Sequence, residues 1–207
     1  MQLNGARLRA LLEGEAAAAG PDEGLSPAGD PAIRAHLRFV AEALAGTAAE
    51  GARERLEAFA AGLGERLADA RPALDAELQL VGEGAAFEAR RQFGEGAGED
   101  PAMGPMLERR VRVQAWTRVF LADLDGVLGP GTAEAANAWM ADRQTQLADT
   151  IFAMDRRAKQ AEIDRGGADA VADSATVNRI GQAAMLQAHT RFLVEALAAT
   201  MGVRRPQ

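Results

Sequence analysis

A chain of 207 residues with a formal charge of -7 and no cysteine has room for one domain and a real core, and it excludes disulfides, thiolate metal sites and cysteine nucleophiles. Hydrophobic residues make up 48%, but aromatics only 4% and tyrosine is absent, so the core must be built from Leu, Val, Met and Ala, which suits helix packing better than a sheet. The acidic balance argues against general nucleic-acid binding, which draws its affinity from basic surface laid on phosphates.

The pattern along the chain predicts helix almost throughout. A short first helix carries Leu8, Leu11 and Leu12, and Glu13 and Glu15 interrupt what a cleaved signal would need as its apolar centre. No run approaches the roughly 18 apolar residues of a membrane span, so a cytoplasmic protein is expected. "GPDEGLSPAGDP" reads as a loop, ending in Asp30 and Pro31 as a helix start. Ile33, Leu37, Val40 and Leu44 share one side of the helix that follows. Thr47 and Glu50 stand at capping-box spacing before a helix carrying Leu56, Phe59, Ala60, Leu63 and Leu67, which Pro72 ends or kinks. "ELQLV" is the best strand candidate in an otherwise helical continuation.

Residues 93 to 105, "FGEGAGEDPAMGP", form a Gly/Pro-rich internal linker. The expected organisation is an N-terminal helical segment, 1–104, and a C-terminal one, 105–207, packed as one domain. Past the linker Val113, Trp116, Phe120, Leu124 and Val127 fall in a narrow helical arc, and "GPGT" breaks that helix with Thr132 capping the next. In the next, long helix Met140, Leu147, Met154 and Ala161 recur every seven residues, with Ile151 and Ala158 in the alternate row. A last helix, from about Val177 to Met201, carries two apolar stripes: Val177, Ala184, Ala188 and Phe192 on one side, Leu186, Leu193 and Leu197 on another. The fold class is therefore all-α, an antiparallel multi-helix bundle.

One stretch points toward chemistry. Asp123-Leu124-Asp125-Gly126-Val127-Leu128 resembles the first motif of the haloacid dehalogenase-like phosphatases. The resemblance implies Asp123 as nucleophile, Asp125 as general acid and base, and a magnesium ion beside the phosphate. It extends to Lys159 as the phosphate-binding lysine and to Asp169 and Asp173 as the last acidic pair. It covers six residues well; the Ser or Thr motif and the apolar strands that a doubly wound sheet demands are missing between Leu128 and Gly167. Helical periodicity instead places both aspartates on solvated flanks of the Trp116 helix.

Other candidates are sparse. His36 and His189 are the only histidines, and neither has an acidic residue at i+3 or i+4 to complete a helical metal pair. Basic groups occur at Arg109, Arg110, Arg112 and Arg118, at Arg156, Arg157 and Lys159, and at Arg204 and Arg205. No catalytic residue, metal or cofactor is assigned. The reading is a non-catalytic interaction or structural subunit docking a protein partner or a second copy through Leu186, Leu193 and Leu197. The alternative is an all-helical regulator with a small-ligand pocket lined by Trp116, Trp139, Met140 and Met154.

Overall fold

The structure, a computed structural model, describes residues 5–18, 30–94, 96 and 104–202. Among these residues it holds nine α-helices and no strand: α1 Gly5–Ala18, α2 Pro31–Ala45, α3 Glu50–Ala61, α4 Leu63–Asp69, α5 Arg71–Phe93, α6 Gly104–Leu128, α7 Thr132–Ala141, α8 Gln144–Gly166 and α9 Ser174–Thr200. The loop expected before Asp30 and most of the linker expected between α5 and α6 lie outside the described residues. No described helix is long and apolar enough to cross a membrane.

Local chemistry explains the element ends. The Asp30 carboxylate accepts from the Ala32 and Ile33 backbone N–H groups at 2.9 and 3.3 Å, and Pro31 occupies the first helical position, where no N–H is needed. The capping box expected at Thr47 does not form. Ala49 stands at the α3 N-cap without a side-chain hydrogen bond, and Thr47 Oγ1 donates to the Leu44 carbonyl instead, closing α2. Pro72 falls at the start of α5, so it opens a helix where its ring clashes with nothing upstream. The strand-like "ELQLV" is helical. Leu74 and Val81 are buried and Leu78 packs partly against the core, an i, i+4, i+7 stripe, while Leu80 turns outward.

The long helix expected after Thr132 is two helices. It breaks at Asp142–Arg143, where the Arg143 guanidinium lies 4.1 Å from the Trp139 ring centroid and donates back to the Trp139 carbonyl at 3.2 Å. Gly167, at φ +79, ends α8 in a conformation that favours glycine. The Asp173 carboxylate then caps α9 through the Thr176 and Ala175 N–H groups, which hold its pKa below the usual carboxylate range.

The helices pack chiefly as α1 on α2, α2 on α3 and α9, α5 on α6, α6 on α7, and α7 and α8 on α9. A single apolar cluster runs from Ile33 in α2 through Leu56 and Phe59 in α3, Leu74 in α5, and Trp116, Phe120 and Leu124 in α6 to Leu197 in α9, so both halves of the chain supply one core. Phe59 and Phe120 meet edge-on at 5.6 Å between centroids. Each large side chain fully withdrawn from water here contributes about 1.5–3 kcal/mol before its entropy cost. Smaller clusters join α1 to α2 (Leu8, Leu11, Ala35, Phe39) and α8 to α9 (Leu147, Ala188, Phe192).

Candidate ligand-binding groove

The doubly apolar α9 is central. Leu186, Leu193 and Leu197 are 4%, 2% and 0% exposed within the chain's own core. They are not an open face, because α2, α6, α7 and α8 between them pack on both stripes of α9. Trp116 is likewise fully buried in the core.

The phosphatase-like aspartates sit on α6 near its C-terminal end, and each has a structural partner. Arg66 of α4 donates to Asp123 Oδ1 at 2.9 Å. Asp125 Oδ1 accepts from the Ala133 backbone N–H at 2.7 Å, so it caps α7 from the end of α6. Thr132, expected as that cap, instead donates its hydroxyl proton to the Gly129 carbonyl at 2.8 Å. Lys159 pairs with Asp155 at 2.7 Å, Asp169 lies in the short 3-10 turn Ala168–Val171, and Asp173 caps α9. An aspartate nucleophile at the tip of a parallel strand is therefore not the geometry at Asp123.

The histidines have different surroundings. His36 of α2 lies 2.6 Å through Nδ1 from Thr190 Oγ1, and that hydroxyl spends its one proton on the Leu186 carbonyl at 2.7 Å. Thr190 therefore accepts from His36, whose proton sits on Nδ1. Burial holds His36 down to about 4 and neutral. His189, one residue before Thr190, turns away toward α6 and α8; burial, and secondarily the nearby Arg110, hold it down to about 4 as well. Among the described residues no group of three His, Cys, Asp or Glu side chains gathers to hold a cation.

His189 marks a feature that periodicity did not reveal. Between α6, α8 and α9 lies a groove of about 470 Å³, floored by Met185 and His189 and walled by Leu107, Leu147, Ile151 and Val177. Phe152 stands at its rim, 67% exposed. A second, shallower lobe of about 790 Å³ opens between α6 and α7 and shares Gln114, Gln144, Leu147 and His189 with the first. Of the tryptophans and methionines expected to form a pocket, Met140 lines this second lobe, while Trp139 and Met154 pack around Leu147 and Phe192 beneath α8.

The basic groups divide. Arg112 pairs with Glu108, Arg118 with Glu77 at 3.2 Å, and the Arg156 guanidinium lies 5.9 Å from the Phe152 ring centroid. Arg109 and Arg110 reach the groove, whereas Arg204 and Arg205 lie outside the described residues. Glycine at 181 lets the chain pass close: a Cβ there would come within 3.2 Å of Arg109 Nη1. The signal that would have found the groove is the combination of small and apolar positions on α8 and α9 with Arg109 and Arg110 one turn away on α6, which only the tertiary arrangement brings together. No protein-family profile matches the chain, and no curated protein or solved structure shows significant similarity to it.

Proposed function

We propose that this chain is a non-catalytic, all-helical binding protein whose groove between α6, α8 and α9 receives a small, largely apolar molecule. The observation that carries the reading is the concave apolar channel floored by Met185 and His189, of a size typical of small-molecule sites and bearing a few polar groups at its edges. Water in such a channel is poorly bonded, so an apolar occupant gains by displacing it. Asp123 and Asp125 support the non-catalytic part, each being engaged with a helix partner. We read the paired helices as antiparallel hairpins of one bundle, and the protein as cytoplasmic without general nucleic-acid binding.

The test is thermal denaturation with and without decan-1-ol, on the native chain and on Ala148→Trp, which places an indole in the groove from an exposed helical position. A rise in Tm that the variant lacks supports the reading; no rise, or an equal rise in both, contradicts it.

A second reading, an interaction or structural subunit, rests on α5. Leu80 and Phe87 lie one heptad apart and are 58% and 64% exposed. A protein that sediments as a monomer at all concentrations, with Leu80→Asp and Phe87→Asp behaving as the native chain does, removes self-docking through that face.

A further inference from the structure

The groove has a polar edge whose charge runs against that of the chain. Three cations line it, Arg109, Arg110 and Lys159, against one anion, Asp155, in a protein of net charge -7. Two of the cations are engaged: Arg109 donates to the Asn178 carbonyl and side chain at 3.1 and 3.3 Å, and Lys159 pairs with Asp155. Arg110 makes no hydrogen bond or ion pair among the described residues.

The floor carries a second unpartnered group. His189 is 8% exposed, and its Nδ1 is sealed from water without a hydrogen-bond partner. Nε2 is not sealed and makes no hydrogen bond to the protein either. A buried N–H without a partner costs more than a buried lone pair, so the proton belongs on Nε2 and Nδ1 is the bare nitrogen. The floor of the groove thus presents a neutral N–H donor beside an uncommitted guanidinium. The adjoining lobe shares His189 but is lined by Glu77 and Glu134, and its one cation, Arg118, is already bound to Glu77, so it adds no uncommitted charge for an anion.

We propose that the groove takes a small amphipathic anion, its acidic head held by Arg110 and the His189 Nε2–H and its apolar body lying along Leu147, Ile151 and Phe152. The proposal rests on the groove reading above and adds the chemical class of the ligand. Arg110 supplies charge, His189 supplies a directed donor without adding charge, and the exposed Phe152 ring is covered by the ligand's far end.

Decanoate and decan-1-ol share one chain and differ in the head, so calorimetric titration of both separates the two claims. The native chain is expected to bind decanoate at least roughly tenfold more tightly than decan-1-ol, the worth of one charge-assisted hydrogen bond. Arg110→Gln is expected to erase that preference by weakening decanoate binding to the level of decan-1-ol, Arg110→Lys to restore part of it, and Ala148→Trp to abolish binding of both probes. Arg110 lies on a half-exposed helical position and is not part of the apolar core, and circular dichroism of each variant establishes that it folds. Equal binding of the two probes, or a preference that Arg110→Gln leaves intact, overturns the anion and leaves the groove standing. Failure of both probes to bind, or binding indifferent to Ala148→Trp, overturns both.

Discussion

Asp125 on α6 accepts a hydrogen bond from the Ala133 backbone N–H at 2.7 Å, so the residue that most resembles a catalytic acid is a helix cap reaching across a turn. The link is physical: the first N–H groups of α7 have no partner within the helix, and a carboxylate also complements the positive end of its dipole. Asp125→Ala is expected to lower stability by about 1–2 kcal/mol and Tm by roughly 2–8 °C. Asp123→Asn, which trims a partly exposed pair with Arg66, is expected to cost under about 0.5 kcal/mol. Chemical denaturation of both variants checks the order; equal effects would remove the capping role.

Leu197 tests the core in the same assay. It is wholly buried among residues of several helices, so Leu197→Ala leaves a cavity and is expected to cost about 2–5 kcal/mol. Phe152→Ala, at the exposed rim of the groove, is expected to stay within about 0.5 kcal/mol. A mild Leu197→Ala that instead altered self-association would restore that leucine to a partner face.

His36 and His189 set the response to acid. Both rings are neutral in the fold, held to about 4 chiefly by burial, with Arg110 adding to the effect at His189. In the unfolded chain they protonate near pH 6.5. Their contribution is complete above that value, shrinks as pH falls from about 6.5 toward 4, and is lost below it, amounting to about 3 kcal/mol per histidine at most. Urea unfolding between pH 7.5 and 4 reads the slope. His36→Gln is expected to flatten it in part, His189 supplying the rest; a slope unchanged in that variant would remove His36 from the acid response.

Much of the helical architecture was legible because helix ends and buried stripes are local. Asp30–Pro31 announces α2, and the arc from Val113 to Leu124 is the buried side of α6. The misses share a cause. Thr47 and Thr132 have the chemistry of N-caps, yet each hydroxyl finds a preceding carbonyl, and a residue eight positions upstream caps α7 instead. The heptad rhythm through Met140 and Leu147 continues across a break that Arg143 makes by folding back on Trp139. The two stripes of α9 show that the helix is apolar on two sides, but not that other helices of the same chain cover both. The groove was invisible for the same reason: Arg110, Met185 and Ile151 share no periodicity and meet only because α6 and α8 both pack against α9.

Methyl-resolved NMR of a methionine-labelled sample tests occupancy of the groove most directly, since Met185 lies on its floor and Met201 packs elsewhere against the core. On titration with decanoate the Met185 methyl signal, assigned through Met185→Leu, is expected to shift saturably while that of Met201 holds still. A Met185 signal that stays fixed, or methyl signals that all drift together without saturation, would contradict a binding site between α6, α8 and α9.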